Sequence, residues 1–207
     1  MRVVAVSKTV DADRVAAAAA AGWDTFGENR VQERAAKSEA LATAGVRAEW
    51  HLIGPLQSNK ARRAIELFEV IESVDSPELA QRLDRIAGEV RPGRRLPVLL
   101  QVNIDDDPAK AGFEPGALAG DLAAVLALPN LRVDGLMTVG RQVDRPEAAR
   151  PTFVALRELA ERLRRADARL GPELSMGMSE DYAIAVEEGA TIVRIGRAIF
   201  GERPHAG

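Results

Sequence analysis

The sequence predicts an α/β fold, a single closed (β/α)8 TIM barrel over residues 1–207, on three observations. Short β-branched apolar runs alternate with longer Ala/Leu/Arg/Glu segments of helical period, the pattern of repeated βα units around a parallel sheet. About eight such units follow one another, the number a closed barrel requires. Polar residues gather just after the strand candidates, at Lys8, Glu28, Asn29, Gly54, Asp75, Asn103, Thr138, Gly177 to Ser179 and Gly196, and a barrel brings all these exits to one face. An open doubly wound sheet is made of the same right-handed units; the count and the convergence favour the barrel.

The elements read in order as follows. Strand 3–7 is a near-continuous apolar run, as expected of a parallel strand buried on both sides. Helix 12–21 opens behind Asp11, contains the helix-forming alanine run 16–21 and stops at Gly22. Strand 25–27 and helix 31–44 follow, the latter ending at Gly45, then strand 50–53 and helix 59–68. Strand 70–74 leads to helix 77–90, where Ser76-Pro77 supplies a cap and a proline in the first turn. Strand 97–103, helix 115–126 and strand 133–138 precede helix 146–170, which is expected to end at Gly171. Strand 173–176 runs into helix 180–188, with Ser179 as its start signal and Gly189 as its stop, and strand 192–195 closes the count. No linker rich in Pro, Gly or Ser divides the chain.

Composition removes several classes of function. The 207 residues are 46% hydrophobic, enough for an ordinary core, and the net charge of −3 leaves no basic footprint for nucleic acid. With no cysteine and two histidines, disulfides, thiolate metal sites, cysteine nucleophiles and histidine-rich metal centres are excluded. No signal-like segment opens the chain and no stretch approaches the ~20 apolar residues that span a bilayer. The expectation is a cytoplasmic protein with no membrane partner.

Lys8, at the exit of the first strand, is the residue best placed for chemistry. A desolvated lysine loses its charge and becomes a nucleophile toward a carbonyl carbon, which is Schiff-base chemistry; the alternative is an ammonium snorkelling to solvent. The stretch Ser175-Met176-Gly177-Met178-Ser179 passes from strand through glycine to a helix start, so its N–H groups and hydroxyl suit an anion, unless Ser179 is only an N-cap. A second glycine turn at Gly196-Arg197 follows the last strand, and barrels often bind phosphate between their seventh and eighth loops. Arg194 alternates with apolar neighbours, directing its guanidinium inward, where it needs a partner. An imine lysine, a phosphate cradle and an inward arginine are together what a pyridoxal phosphate (PLP) site requires.

The same residues resemble the YggS/PROSC family of PLP homeostasis proteins, whose fold is like the barrel domain of alanine racemase. The resemblance rests on Ala5-Val6-Ser7-Lys8, Phe26-Gly27-Glu28-Asn29 with Val31-Gln32-Glu33, and the run from Trp50 and His51 through Gly54-Pro55-Leu56-Gln57-Ser58-Asn59-Lys60. Val102-Asn103-Ile104, Gly135-Leu136-Met137-Thr138, the Leu174 to Ser179 stretch, and Arg194-Ile195-Gly196 with Ala198-Ile199-Phe200-Gly201 complete it. Singly these motifs are weak; together they span the chain and are specific.

The resemblance implies a fold of the alanine racemase N-terminal type and PLP carried on Lys8 as a Schiff base. It implies that Arg194 faces the pyridine nitrogen, and that Ser179, reached through Gly177 and Met178, holds the phosphate with Gly196 and Arg197. It places Asn29 near the ring and matches Lys110 to a second lysine involved in cofactor handling. Three departures stand out. The chain opens at Met1-Arg2-Val3 where the family carries a helical segment, so the start is expected to be truncated or misassigned and one barrel end less covered. Arg197 replaces a small hydroxyl residue, to contact phosphate by charge or to point away, and Val10 replaces a frequent lysine.

The implied function is to hold, buffer or pass on PLP, possible recipients being PLP-dependent apo-enzymes, without established turnover. The alternatives are a PLP-dependent amino-acid racemase of low activity and a module whose barrel mouth docks a cofactor-dependent enzyme. Racemisation needs acid–base groups on both faces of the cofactor. The one tyrosine, Tyr182, falls on a helix where packing or a rim position is expected. An arginine opposite the ring nitrogen disfavours its protonation and weakens the electron sink. His51 reads as a satisfied structural histidine, His205 as a tail residue, and Asp105-Asp106-Asp107 as a solvated loop, because adjacent side chains do not converge on an ion. Met137, Met176 and Met178 read as packing residues at the mouth, and the chain as a monomer.

Overall fold

The computed structural model describes residues 1–141 and 143–201; His205 lies outside them. The eight strands β1 (Arg2–Val6), β2 (Thr25–Glu28), β3 (Glu49–Leu52), β4 (Val70–Val74), β5 (Leu96–Gln101), β6 (Leu131–Met137), β7 (Glu173–Met178) and β8 (Ile192–Ile195) pair in sequence order into a closed barrel. Every pairing is parallel, and the ring shuts where β1 meets β8, with Val4 opposite Arg194 and Ala5 opposite Ile195. The predicted strands are all present; β4 and β8 have the expected bounds and the others have ends shifted by at most two residues.

Helices α1 (Ala12–Ala20), α2 (Val31–Thr43), α3 (Ala61–Leu67), α4 (Pro77–Val90), α5 (Pro115–Leu126), α6 (Arg150–Ala166), α7 (Tyr182–Glu187) and α8 (Arg197–Phe200) complete the units. Two of the expected caps form: Asp11 accepts from the Arg14 N–H at 2.8 Å, and Ser76 accepts from the Leu79 N–H at 3.3 Å. Among the described residues no helix is long and apolar enough to cross a membrane.

The helical expectations need four corrections. The predicted helix 59–68 is a 3-10 turn, Ser58–Lys60, followed by α3. The helix expected over 146–170 is likewise divided into a 3-10 turn, Pro146–Ala149, and α6, because Pro151 has no N–H to carry an α-helical ladder through that point. The helix also ends early, at Ala166, so Gly171 stops no helix; a Cβ there would sit 2.3 Å from the Asp134 carbonyl oxygen, and glycine lets the chain press against β6. The last predicted helix, 180–188, shrinks to α7, with Asp181 rather than Ser179 at its cap position. The four-residue α8 was not foreseen at all.

Between barrel and helices lies the main core. On α4 the residues Leu79, Ala80, Leu83, Ile86 and Ala87 recur at helical spacing and are all buried against the sheet. Each large aliphatic chain so buried contributes roughly 1.5–3 kcal/mol, and that stripe rather than intrinsic propensity fixes the helix in place. The barrel's own interior is different. Val4, Leu99, Met137 and Ile192 form a small separate apolar cluster, and Gly27 faces it, since a Cβ there would meet Val4 Cγ1 at 2.7 Å. Buried inside with them are charged groups, His51, Glu72 and Arg194.

Candidate functional site

Alternation along the strands decides which end of the barrel each inward side chain serves. On β1, Arg2 lines a cavity at the N-terminal end of the barrel while Val6 lines one at the C-terminal end; on β8, Ile192 and Arg194 divide in the same way. The C-terminal cavity, of about 510 Å³, is where the strand exits converge. Lys8, Asn29, Lys110, Met178, Ser179, Arg194, Gly196 and Arg197 all line it. Gly177 does not. Its φ is +90°, and a Cβ would stand 2.5 Å from the Ala185 Cβ, so it lets the β7 exit turn tightly beneath α7.

The backbone under Lys8 is braced from below. Ser7 is buried, and its hydroxyl donates to Glu28 Oε1 at 2.7 Å; Lys37 Nζ donates to the same oxygen at 2.6 Å and to the Ser7 carbonyl at 2.8 Å. Burial pushes the Glu28 carboxyl upward in pKa, against the lowering pull of Lys37 and Ser7. Directly after Lys8, Thr9 adopts a φ of +64°, unfavourable for a β-branched residue. It is held there by Val10 N–H donating to the Ser7 carbonyl at 3.0 Å and by its own N–H donating to Glu33 at 3.3 Å. Replacing Thr9 with glycine should remove this strain and, after the glycine's own entropy is counted, raise the melting temperature by about 2 °C. A lower melting temperature in a calorimetric scan would mean that the turn is unstrained.

The two glycine-bearing loops touch each other. Gly196 N–H donates to Ser179 Oγ at 3.3 Å, a long bond that joins the turn after β7 to the turn after β8. Ser179 serves this link instead of capping α7. Asp181 takes the Met178 N–H at 2.6 Å, fixing the intervening turn. Arg197 pairs with Glu180 and also lines the cavity, so its guanidinium stays at the mouth. Lys110 lies on the far side, 3.4 Å from Asp107, on a loop knitted by Asn103, which donates to the Asp107 carbonyl at 2.9 Å.

Arg194 has the partners a buried guanidinium needs. It donates to Ser175 Oγ at 2.6 Å and to the Thr138 carbonyl at 2.7 Å, and lies 3.9 Å from Glu72. Glu72 in turn accepts from Ser175 and from His51 Nδ1, the latter at 2.5 Å. The other ring nitrogen of His51 bonds Glu49 at 2.8 Å, and Glu49 accepts from Arg2 at 2.9 Å. A string of alternating charge, Arg2, Glu49, His51, Glu72, Arg194, thus threads the barrel from one end to the other. Burial opposes protonation of His51, but bonds from both ring nitrogens to carboxylates outweigh it and raise its pKa to about 9. Burial likewise opposes ionisation of Glu72, yet His51 and Arg194 hold its pKa below the ordinary carboxylate value. Burial lowers the Arg194 pKa, with the Glu72 charge working against that shift.

His51 is therefore a fully bonded structural residue, as expected from sequence. Tyr182 is 44% exposed at the rim and lines no part of the cavity. Asp105 accepts from Thr152 at 2.6 Å and from the Arg141 N–H at 2.9 Å, so the acidic triplet shapes a loop, and no metal-ligand cluster occurs among the described residues. Met137 and Met176 are buried, but Met178 is 39% exposed and faces the cavity, a departure from its expected packing role. Sequence reasoning missed Glu72, Ser175 and Thr138 as partners of Arg194. The signal was available for Glu72, which occupies an inward position in β4 by the same alternation that marked Arg194.

A lysine leaving β1 and a buried arginine on β8, sharing one cavity with two joined loops, define a barrel of the alanine racemase N-terminal class, and residues 1–204 match the family described as alanine racemase, N-terminal domain. The relatives narrow the class. A PLP homeostasis protein of Aquifex aeolicus is 41% identical over 99% of this chain and 88% of its own length, and one of Pseudomonas aeruginosa is 44% identical over 98% and 84%. The structure of PipY of Synechococcus elongatus PCC7942 with PLP bound superposes with a TM-score of 0.90 at 43% identity, covering 97% of this chain and 92% of that one. The chain belongs to the family of PLP homeostasis proteins. An alanine racemase of Clostridium difficile 630, 18% identical with a TM-score of 0.76 over 100% of this chain and 56% of that one, shares the fold alone.

Proposed function

We propose that this chain binds PLP at the C-terminal mouth of the barrel, with Lys8 as the covalent anchor, and holds it for buffering or transfer to PLP-dependent apo-enzymes. The observation that carries the reading is the single 510 Å³ cavity shared by Lys8, Arg194 and the Ser179 and Gly196 loops, a volume in the range of small-molecule sites. The residues fit the group: an amine at a strand exit, a backbone N–H and a hydroxyl for an anion, and a fixed cation on the inner wall.

Bound there, the cofactor supplies an aldehyde that condenses reversibly with a lysine amine and releases water. Lys8 binds and Ser7, tied to Glu28, orients it. Gly196 N–H and Ser179 Oγ, now bonded to each other at 3.3 Å, would hold the phosphate, with Arg197 adding charge at the rim. Asn29 and Met178 border the ring, and Gly177 shapes the turn. Arg194, locked by Ser175 and Thr138, would present a fixed cation to the ring nitrogen of a bound cofactor and disfavour its protonation. Tyr182, exposed outside the cavity, offers no acid or base on the second face. Those two features favour holding over racemisation, in keeping with relatives named as homeostasis proteins. A cytoplasmic, monomeric chain belongs to the same reading.

Adding PLP to the purified protein should produce an imine absorption band that is absent in Lys8→Ala, and borohydride reduction followed by peptide mapping should mark Lys8. A label on Lys110 instead would overturn the assignment. Rapid α-deuterium exchange into alanine, lost in Lys8→Ala, would replace the carrier by a racemase.

A further inference from the structure

The end of the barrel opposite the cofactor mouth holds a cavity of about 660 Å³, formed where the strands begin. In barrels of this type that face ordinarily serves stability, and chemistry is sought at the other end. Its lining carries five arginines against four carboxylates. Arg2, Arg91, Arg94, Arg95 and Arg132 all contribute, in a protein whose net charge is −3.

Two of the cavity's four carboxylates are paired with cations, and the other two are held by neutral donors. Glu49 is held by Arg2 and His51, and Asp134 takes a two-point bond from Arg132 at 2.6 and 2.8 Å. Glu69 accepts the Trp50 N–H at 2.8 Å, and Glu173 accepts the Thr191 hydroxyl. Arg91 is fixed by donating to the Ile65 and Phe68 carbonyls, and its charge feels Glu69 across the cavity without a direct ion pair. Arg94 and Arg95 are exposed, and among the described residues neither makes a side-chain hydrogen bond or ion pair. Three like charges are thus carried on the five-residue turn Arg91-Pro92-Gly93-Arg94-Arg95, one anchored and two exposed at the cavity's edge. Burial lowers the Arg91 pKa, the Glu69 carboxylate works against that shift, and the neighbouring Arg94 charge adds to it.

We propose that this cavity is a second binding site, for a small phosphate-bearing anion, clasped by Arg91, Arg94 and Arg95. Guanidinium forks match phosphate oxygens in pairs, and three of them on one turn suit a group with several such oxygens. The concave form and small volume select a metabolite-sized ligand over a nucleic acid, which the acidic protein as a whole would repel.

Calorimetric titration of the PLP-loaded protein with pyrophosphate tests it, the cofactor having first filled the opposite phosphate loops. One saturable site is expected, with Kd below about 1 mM. The double variant Arg94→Ser/Arg95→Ser, altered only at exposed turn positions, should weaken binding at least tenfold while leaving the cofactor's absorption spectrum unchanged. No saturable heat, or equal binding by the double variant, overturns the site. Citrate binding as tightly as pyrophosphate overturns the phosphate assignment. The inference does not rest on the cofactor reading: in a protein that took up no PLP, the same double variant would still separate this face from the other.

Discussion

Replacing Glu72 with alanine should remove about 3–5 kcal/mol of stability, the loss expected when one partner of a buried ion pair is deleted and the other charges stay behind. Glu72 is wholly buried between the Arg194 guanidinium and the His51 imidazolium, and also accepts the Ser175 hydroxyl. Without it, the buried Arg194 loses its nearest carboxylate and His51 keeps only Glu49 as countercharge. An exposed pair such as Arg63 and Glu66 contributes at most ~1 kcal/mol, so the contrast between Glu72→Ala and Glu66→Ala is itself diagnostic. Set against a total stability of roughly 5–15 kcal/mol, the Glu72 loss would leave a marginal protein. Glu72→Gln, which keeps the shape and some of the bonds, should lose less and stay folded. Urea unfolding at pH 7 gives both values; a change below about 1 kcal/mol in Glu72→Ala would show that the internal charges are not coupled as the geometry implies.

The protein should also lose about 3 kcal/mol of stability between neutral and alkaline pH through His51 alone. Its pKa is about 9 in the fold against 6.5 in the unfolded chain, so the folded state binds the proton more tightly. That contribution is complete below pH ~6.5 and is withdrawn as pH rises through about 9, where the folded imidazole gives up its proton and the carboxylates of Glu49 and Glu72 lose their shared cation. Denaturation midpoints at pH 6, 8 and 10 should therefore fall progressively, and His51→Gln should start lower and fall much less over that range. A flat profile in the parent protein would rule out a protonated His51.

Much of this was legible in the chain because parallel barrels repeat one instruction eight times. Buried strands such as Val70–Val74 announce themselves by β-branched density, and α4 by its cap, its proline and its apolar stripe. Lys8 and Arg194 stood out as charges in apolar runs. What failed was short or ambiguous. Ser179 and Asp181 are both competent caps two residues apart, and only the position of Gly196 shows that Ser179 is occupied elsewhere. The six-residue α7 and four-residue α8 are too brief for periodicity to speak. The counter-ions of Arg194 come from β4 and β7, and a linear reading of Ile192–Ile195 says nothing about which neighbours the ring brings round.

The seam between β1 and β8 carries a further consequence. Lys8 leaves the first strand and Arg194 and Gly196 belong to the last, so the two halves of the pocket are joined only by the final act of ring closure. During synthesis the cavity's first wall is made long before its last, and the pocket is complete only once β8 has paired with β1. A chain cut short before β8 would lack Arg194 and Gly196 and, with them, one wall of that pocket.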